Sequence, residues 1–299
     1  MPPPHVHDLR ALRSRRRRLV SLQTTAKNRL QRVLHRLNLR APAGEAFAQK
    51  QRAWWSALAR SPTARLRVDQ DGATLDHIAP QIAAVDAELR RLSTSELWAE
   101  QVPYLVQLPG MALLSAMTIL GAIGDSTRFP AAKQLVGYAG LGAGVHDSGK
   151  THRDKGSTKQ GRRELRSVLL EAARAASQAH PYWKRTFAQL EKRIGEPKAN
   201  VAIARKLLLV VWHVLMAKRA DRRADAEQVA FKLMVWASPL TDEQRGGLSS
   251  GQFIRAHLIR LGLGDDLTHI TRGGTRRRLA TIEEVLALRP ELHGPPNPA

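Results

Sequence analysis

The chain has 299 residues, 43% hydrophobic and 5% aromatic, enough for one large domain or two ordinary ones. Forty-eight Lys and Arg stand against 26 Asp and Glu, a net charge of +22 that favours a polyanionic partner, DNA first, because each neutralised phosphate releases a condensed counterion. No cysteine is present, which excludes disulfides and Cys-ligated zinc. The opening MPPPHVHDLR lacks a signal peptide's apolar core, and the apolar run 207–216 is shorter than the ~20 residues a bilayer needs.

These features lead to the expectation of a cytoplasmic, nucleoid-associated protein with no membrane partner; a basic membrane-surface protein is the alternative. The fold class expected is mainly α: a basic coiled-coil helical hairpin, then a helical domain with a helix-hairpin-helix and a Gly-rich basic loop. Three segments are expected: a helical arm over 1–97, a domain over 98–219 and a helical extension over 220–299 with a disordered end.

Leu9, Leu12, Leu19, Ala26, Leu30, Val33 and Leu37 alternate spacings of three and four, with Arg16 and Gln23 filling the gaps. That is the seam of a coiled coil. Leu75, Ile78, Ile82, Val85, Leu89 and Leu92 repeat it. Pro42, Gly44, Pro62 and Gly72 between the seams predict turns around a short helix near 47–58. The two seams suit an antiparallel hairpin, a dimerisation arm in a homo-oligomer, or two amphipathic helices on one domain.

Residues 99–123, EQVPYLVQLPGMALLSAMTILGAIG, read as a helix, a tight turn at Pro109-Gly110 and a second helix of small residues. A helix-hairpin-helix of this kind grips a DNA phosphate through turn amides at a helix N-terminus. Ala112 stands where the pattern usually has a second glycine, and a plain helical hairpin is the alternative.

GVHDSGKT at 144–151 fits the phosphate-loop pattern G-x-x-x-x-G-K-[ST]. Its surroundings do not: glycines crowd the stretch before it, and HRDKGSTKQG after it delays any helix by about ten residues, whereas a phosphate loop opens directly into one. The stretch reads instead as a basic loop, with seven Lys and Arg against two acids between Lys150 and Arg166. Ser148 sits at its most pliable point, as a nucleophile aided by cations or as a turn-capping serine. Further helices are expected near 163–178, 187–194, 200–218, 228–236, 252–261 and 283–288. No convincing sheet is expected.

The strings LPGMALLSAMTILGAIGDSTRFPAAKQLVGYAGL, HDSGKTHRDKGSTKQGRRELRSVLLEAARAA and KANVAIARKLLLVVWHVL resemble, in order and spacing, the C-terminal domain of the IS110/IS116/IS902 transposases. The basic N-terminal helix resembles the coiled-coil region that precedes that domain. The resemblance covers about residues 2–218 and implies DNA transposition and recombination by strand cleavage and transfer, guided by a structured RNA.

It also implies a serine nucleophile, which falls on Ser148 better than on Ser157. Pro109, Gly110, Gly149, Lys150, Arg153, Lys159, Gly161, Arg162 and Arg163 are then the DNA-binding candidates. In the family a RuvC-like domain supplies Asp and Glu residues for Mg2+. Before residue 45 the sole acid here is Asp8, so no metal ligands or cofactor are expected in this chain, which reads as the back part of a transposase. Later acids, Asp69, Asp71, Asp265 and Asp266, read as solvated turn residues. The alternative function is a non-catalytic remnant that binds DNA or RNA and oligomerises.

Overall fold

The computed structural model describes residues 2–41, 44–58, 61–148, 151–157, 160–272 and 274–293, with backbone alone over 143–148 and 151–157. The described residues are mostly helical and divide into two compact units, residues 8–89 and residues 1–7 together with 90–299.

Two long helices, α1 (Pro4–Leu37) and α3 (Pro62–Ser93), dominate the 8–89 unit. They run antiparallel, because the cross-links between them reverse order: Arg16 donates to both carboxylate oxygens of Asp86, and Arg29 pairs with Asp71 at 3.3 Å. The predicted seam is buried at Leu9, Leu19, Ala26 and Leu30, with Leu34 rather than Leu37 at its far end. The short helix α2 (Arg52–Ala57) plugs the space between the two long ones. Its Trp55 is packed with Ala26, Leu30, Leu34, Val68 and Leu75, and its indole N–H donates to the Ala46 carbonyl at 2.7 Å.

Three readings of this unit are corrected. Pro62 opens α3, where its missing N–H has no intrahelical partner to lose. Gly72 lies inside α3: a β-carbon there would stand 3.2 Å from the Arg52 side chain, whose guanidinium grips Asp76 at 2.7 and 3.0 Å. Asp69 and Asp71 are helical, accepting from Ser56 and Arg29 respectively, while Asp265 and Asp266 do sit in an exposed turn.

The larger unit is built around α7 (Arg163–Ala179) and α9 (Glu196–Ala217). Leu165, Val168, Leu169, Ala172, Ala173 and Ala176 of α7 recur at spacings of one, three and four and form one buried face. Its alanines let neighbouring backbones come close, and α5 (Leu113–Ile123), α8 (Pro181–Ile194) and α9 all pack on α7. The helix α8 begins at Pro181, earlier than its apolar pattern suggests, since proline suits a first helical position.

By length and composition α9 is apolar enough to cross a membrane. Here it is a core helix, burying Ile203, Leu207, Leu208 and Val211 against its neighbours and exposing Arg205 and Lys206.

Two small antiparallel hairpins replace the expectation of no sheet: β1 (Ala143–Ser148) with β2 (Thr151–Ser157), and β3 (His269–Arg272) with β4 (Thr275–Arg278). Their glycines and polar residues mask any alternation of apolar and polar positions. Residues 226–286 add α10 (Ala226–Ala237), α11 (Ser250–Leu261) and α12 (Ile282–Leu286), with capping boxes at Ser249 and Thr281. The terminal stretch 294–299, expected to be disordered, lies outside the described residues.

Candidate nucleic-acid interface

The described residues of GVHDSGKT, 144–148 and Thr151, form no phosphate cradle but lie in two paired strands. Register pairs His146 with Arg153, Asp147 with His152 and Ser148 with Thr151. Ser148 is therefore the last residue of β1, paired with the first residue of β2, while Ser157 is paired with Ala143 at the other end of the ladder. A second strand follows where a phosphate loop needs a helix N-terminus, so the nucleotide reading is excluded on geometry. Gly149, Lys150 and Lys159 lie outside the described residues; Ser148 and Arg153 are placed by backbone alone.

The base of this hairpin is pinned by a close backbone crossing. Gly140 has φ +67°, and a β-carbon on Gly161 would stand 2.2 Å from the Gly140 nitrogen and 2.4 Å from the Tyr138 carbonyl oxygen. Only glycine admits that approach. Arg162 then locks it: its backbone N–H donates to the Tyr138 carbonyl at 3.1 Å and its Nε to the Tyr138 hydroxyl at 2.7 Å.

The same hydroxyl donates to the Ala122 carbonyl at the end of α5, and Arg128 lies over the Tyr138 ring at 4.6 Å. Among the predicted residues, Gly161 and Arg162 are thus brought together as an anchor. Arg163 starts α7 and is exposed. Tyr138, Arg128 and Gly140 went unpredicted; a lone tyrosine in a glycine-rich stretch carries no periodic signal.

Gly161→Ala is expected to lower stability by ~1–3 kcal/mol, because the atoms met are backbone and cannot swing aside. Thermal unfolding of the variant checks this, with early proteolysis at the hairpin as the local signature.

Pro109 and Gly110 sit in the turn between α4 (Val102–Val106) and α5. Gly110 has φ +74°, and a β-carbon there would lie 2.1 Å from the Ala172 carbonyl oxygen of α7. The glycine is required for packing on α7. The turn's outer side is Ala112, exposed, extended and the N-cap of α5, with no side chain capping the helix.

Behind the turn, Lys232 of α10 donates to the Leu108 carbonyl, and burial pushes its pKa down to about 7. The unfolded lysine titrates near ~10.4, so the unfolded chain binds the extra proton and stability rises as pH climbs from about 7 toward that value. Lys232→Met is expected to flatten this rise and to raise Tm by a few degrees at pH 7; thermal melts of both proteins from pH 6 to about 10 test it.

Among the described residues no three His, Asp or Glu side chains come together to hold a metal ion. These described residues offer Mg2+ no ligand set.

Residues 102–189 match the model of the Transposase IS116/IS110/IS902 family. The chain is 27% identical over 155 residues to the "Insertion element IS110 uncharacterized 43.6 kDa protein" of Streptomyces coelicolor, covering 48% of this chain and 37% of that one. It is 32% identical over 154 residues to the "Pilin gene-inverting protein" of Moraxella bovis, covering 49% and 47%. With the "Transposase for insertion sequence element IS1111A" of Coxiella burnetii it shares 29% over 122 residues, covering 38% and 33%. The matched stretch thus spans under half the length of each of these relatives.

Proposed function

We propose, from the premise that residues 102–189 are a transposase domain of the IS116/IS110/IS902 family, that the chain binds DNA and takes part in cutting and rejoining its strands through Ser148. The observation that carries this reading is the strand pair: a serine at the end of β1, opposite Thr151, on a base fixed to the helical core by the Gly140–Gly161 crossing and Arg162.

In the step proposed, the Ser148 oxygen bonds to phosphorus as one deoxyribose oxygen leaves, and the serine proton passes to the departing oxygen. A phosphodiester replaces a phosphodiester, so a second strand's hydroxyl can reverse the exchange and join a new end. The partial positive charge at the uncapped start of α5 suits a DNA phosphate held nearby, with Arg162 and Arg163 adding cations. A guide RNA and assembly into a homo-oligomer belong to the same reading, as does residence on the nucleoid.

Incubating the chain with element-end DNA nicked beside the scissile bond tests it, since the released fragment diffuses away and traps any covalent complex. A DNA–protein band on a denaturing gel is the expected result. Salt-sensitive binding with no such band under any divalent cation supports the second reading, a non-catalytic nucleic-acid-binding protein. That reading is favoured by one observation, the lack of a carboxylate cluster among the described residues.

A further inference from the structure

We infer that the cleft at the open end of the α8–α9 pair binds a single unpaired nucleotide of a nucleic-acid strand. This rests on the nucleic-acid reading above and not on the chemistry of Ser148. The two helices are joined at Gly195 and pack together, so the start of α8 lies beside the end of α9 and the turn after it. A cleft of about 790 Å³ opens there, within the size range of small-ligand sites. Tyr182, Trp183, Lys206, His213, Arg219 and Arg222 line it.

Three features point to a nucleotide rather than to solvated charges on an idle groove. Lys206, Arg219 and Arg222 are exposed cations that make no ion pair or hydrogen bond with the described residues. Asp221, the carboxylate of the lining, is engaged with Arg223 at 3.7 Å, and its backbone N–H donates to the Gln107 side chain at 3.0 Å. The free cations therefore suit a phosphate.

The second feature is planar. The Arg223 guanidinium lies 4.0 Å from the centroid of the Tyr182 ring. A base adding to such an arginine–aromatic stack gains a π surface without needing a particular sequence. The third is an unsatisfied donor: Trp183 is 2% exposed, and its indole Nε1–H has no hydrogen-bond partner. A buried donor left open costs free energy, and a small shift of the cleft wall on binding would let a base carbonyl or phosphate oxygen satisfy it. Bases stacked within a duplex present only their edges and cannot enter such a cleft; an unpaired one can.

The test measures binding of a single-stranded oligonucleotide of about ten residues carrying 2-aminopurine, as DNA and as RNA, beside the same DNA sequence as duplex. Trp183→Phe keeps an aromatic ring, though a smaller one, and deletes the donor. It should weaken single-strand binding about fivefold, as loss of one hydrogen bond does. The double variant Arg219→Ala/Arg222→Ala changes two exposed side chains. It should weaken single-strand binding at least about tenfold and lower its salt slope by roughly 2 units, with duplex binding within about twofold of the parent.

The tighter of the DNA and RNA arms identifies which strand the cleft serves. Parallel weakening of single strand and duplex, or no change in the double variant, overturns the inference. A parent chain that binds the single strand but not duplex overturns the DNA-exchange reading instead and leaves this one standing.

Discussion

Ser148→Ala is expected to abolish the covalent DNA–protein complex, a fall of at least ~10³-fold, while leaving DNA affinity within about twofold. The change removes the Ser148 hydroxyl and leaves the strand's backbone pairing with Thr151 untouched. Ser157 is the internal control. It sits at the opposite end of the hairpin, five residues further along β1's register, which at about 3.3 Å per residue places it roughly 17 Å from Ser148.

A phosphate within reach of one serine is beyond reach of the other. Ser157→Ala should therefore keep the adduct, and a loss in Ser157→Ala with retention in Ser148→Ala would reassign the nucleophile. Gel quantification of trapped adduct in the three proteins decides between them. Gly161→Ala bears on the same site from a distance, since it disturbs the base from which the serine's strand projects.

The helices were legible because burial imposes a period, and the period survives in the residues. Leu9, Leu19, Ala26 and Leu30 marked the arm, and the helix expected near 163–178 is the central helix, with Leu165, Val168, Leu169 and Ala172 buried. What stayed hidden depends on contacts between segments distant in sequence. Gly72 reads as a turn until Arg52 is seen beside it. Gly110 reads as a phosphate turn, yet its demand for glycine comes from the Ala172 carbonyl.

The segments 143–148 and 151–157 are polar and glycine-rich in sequence, so composition spells a loop, and only backbone pairing turns them into strands. The nucleotide-binding string failed for the reason visible in sequence, the missing helix after Thr151. The candidate site was legible as a region, through its cations and serine, but not as a geometry. Tyr138 and Arg162 are 24 positions apart, and nothing in either neighbourhood announces their bond.

Arg255→Ala is expected to lower stability by ~3–5 kcal/mol and Tm by roughly ten degrees. The side chain is 3% exposed and spreads its guanidinium over three carbonyls, Ala280 at 2.8 Å, Gly264 at 2.6 Å and Leu267. Burial pushes its pKa below the ordinary arginine value, opposed by Asp265, Asp266 and Glu283, so the charge is held largely by backbone dipoles.

One residue of α11 thus fixes both the turn after that helix and the strand end before α12. Alanine would leave three acceptors unpaired beside a cavity. Arg255→Lys keeps the charge, but its single ammonium lacks the planar fork that reaches three directions, and an intermediate loss is expected.

Hydrogen exchange locates the damage: opening should concentrate in 262–281, because α10 and α11 keep separate anchors, Trp236 Nε1 donating to Ser93 at 2.9 Å and Arg260 to the Ala99 carbonyl at 3.2 Å. If amides throughout α7 and α9 open to the same degree, Arg255 supports the whole unit rather than its C-terminal part. The extension would then be integral to the domain that carries Ser148, and shortening the chain behind residue 219 should destroy DNA binding along with the fold.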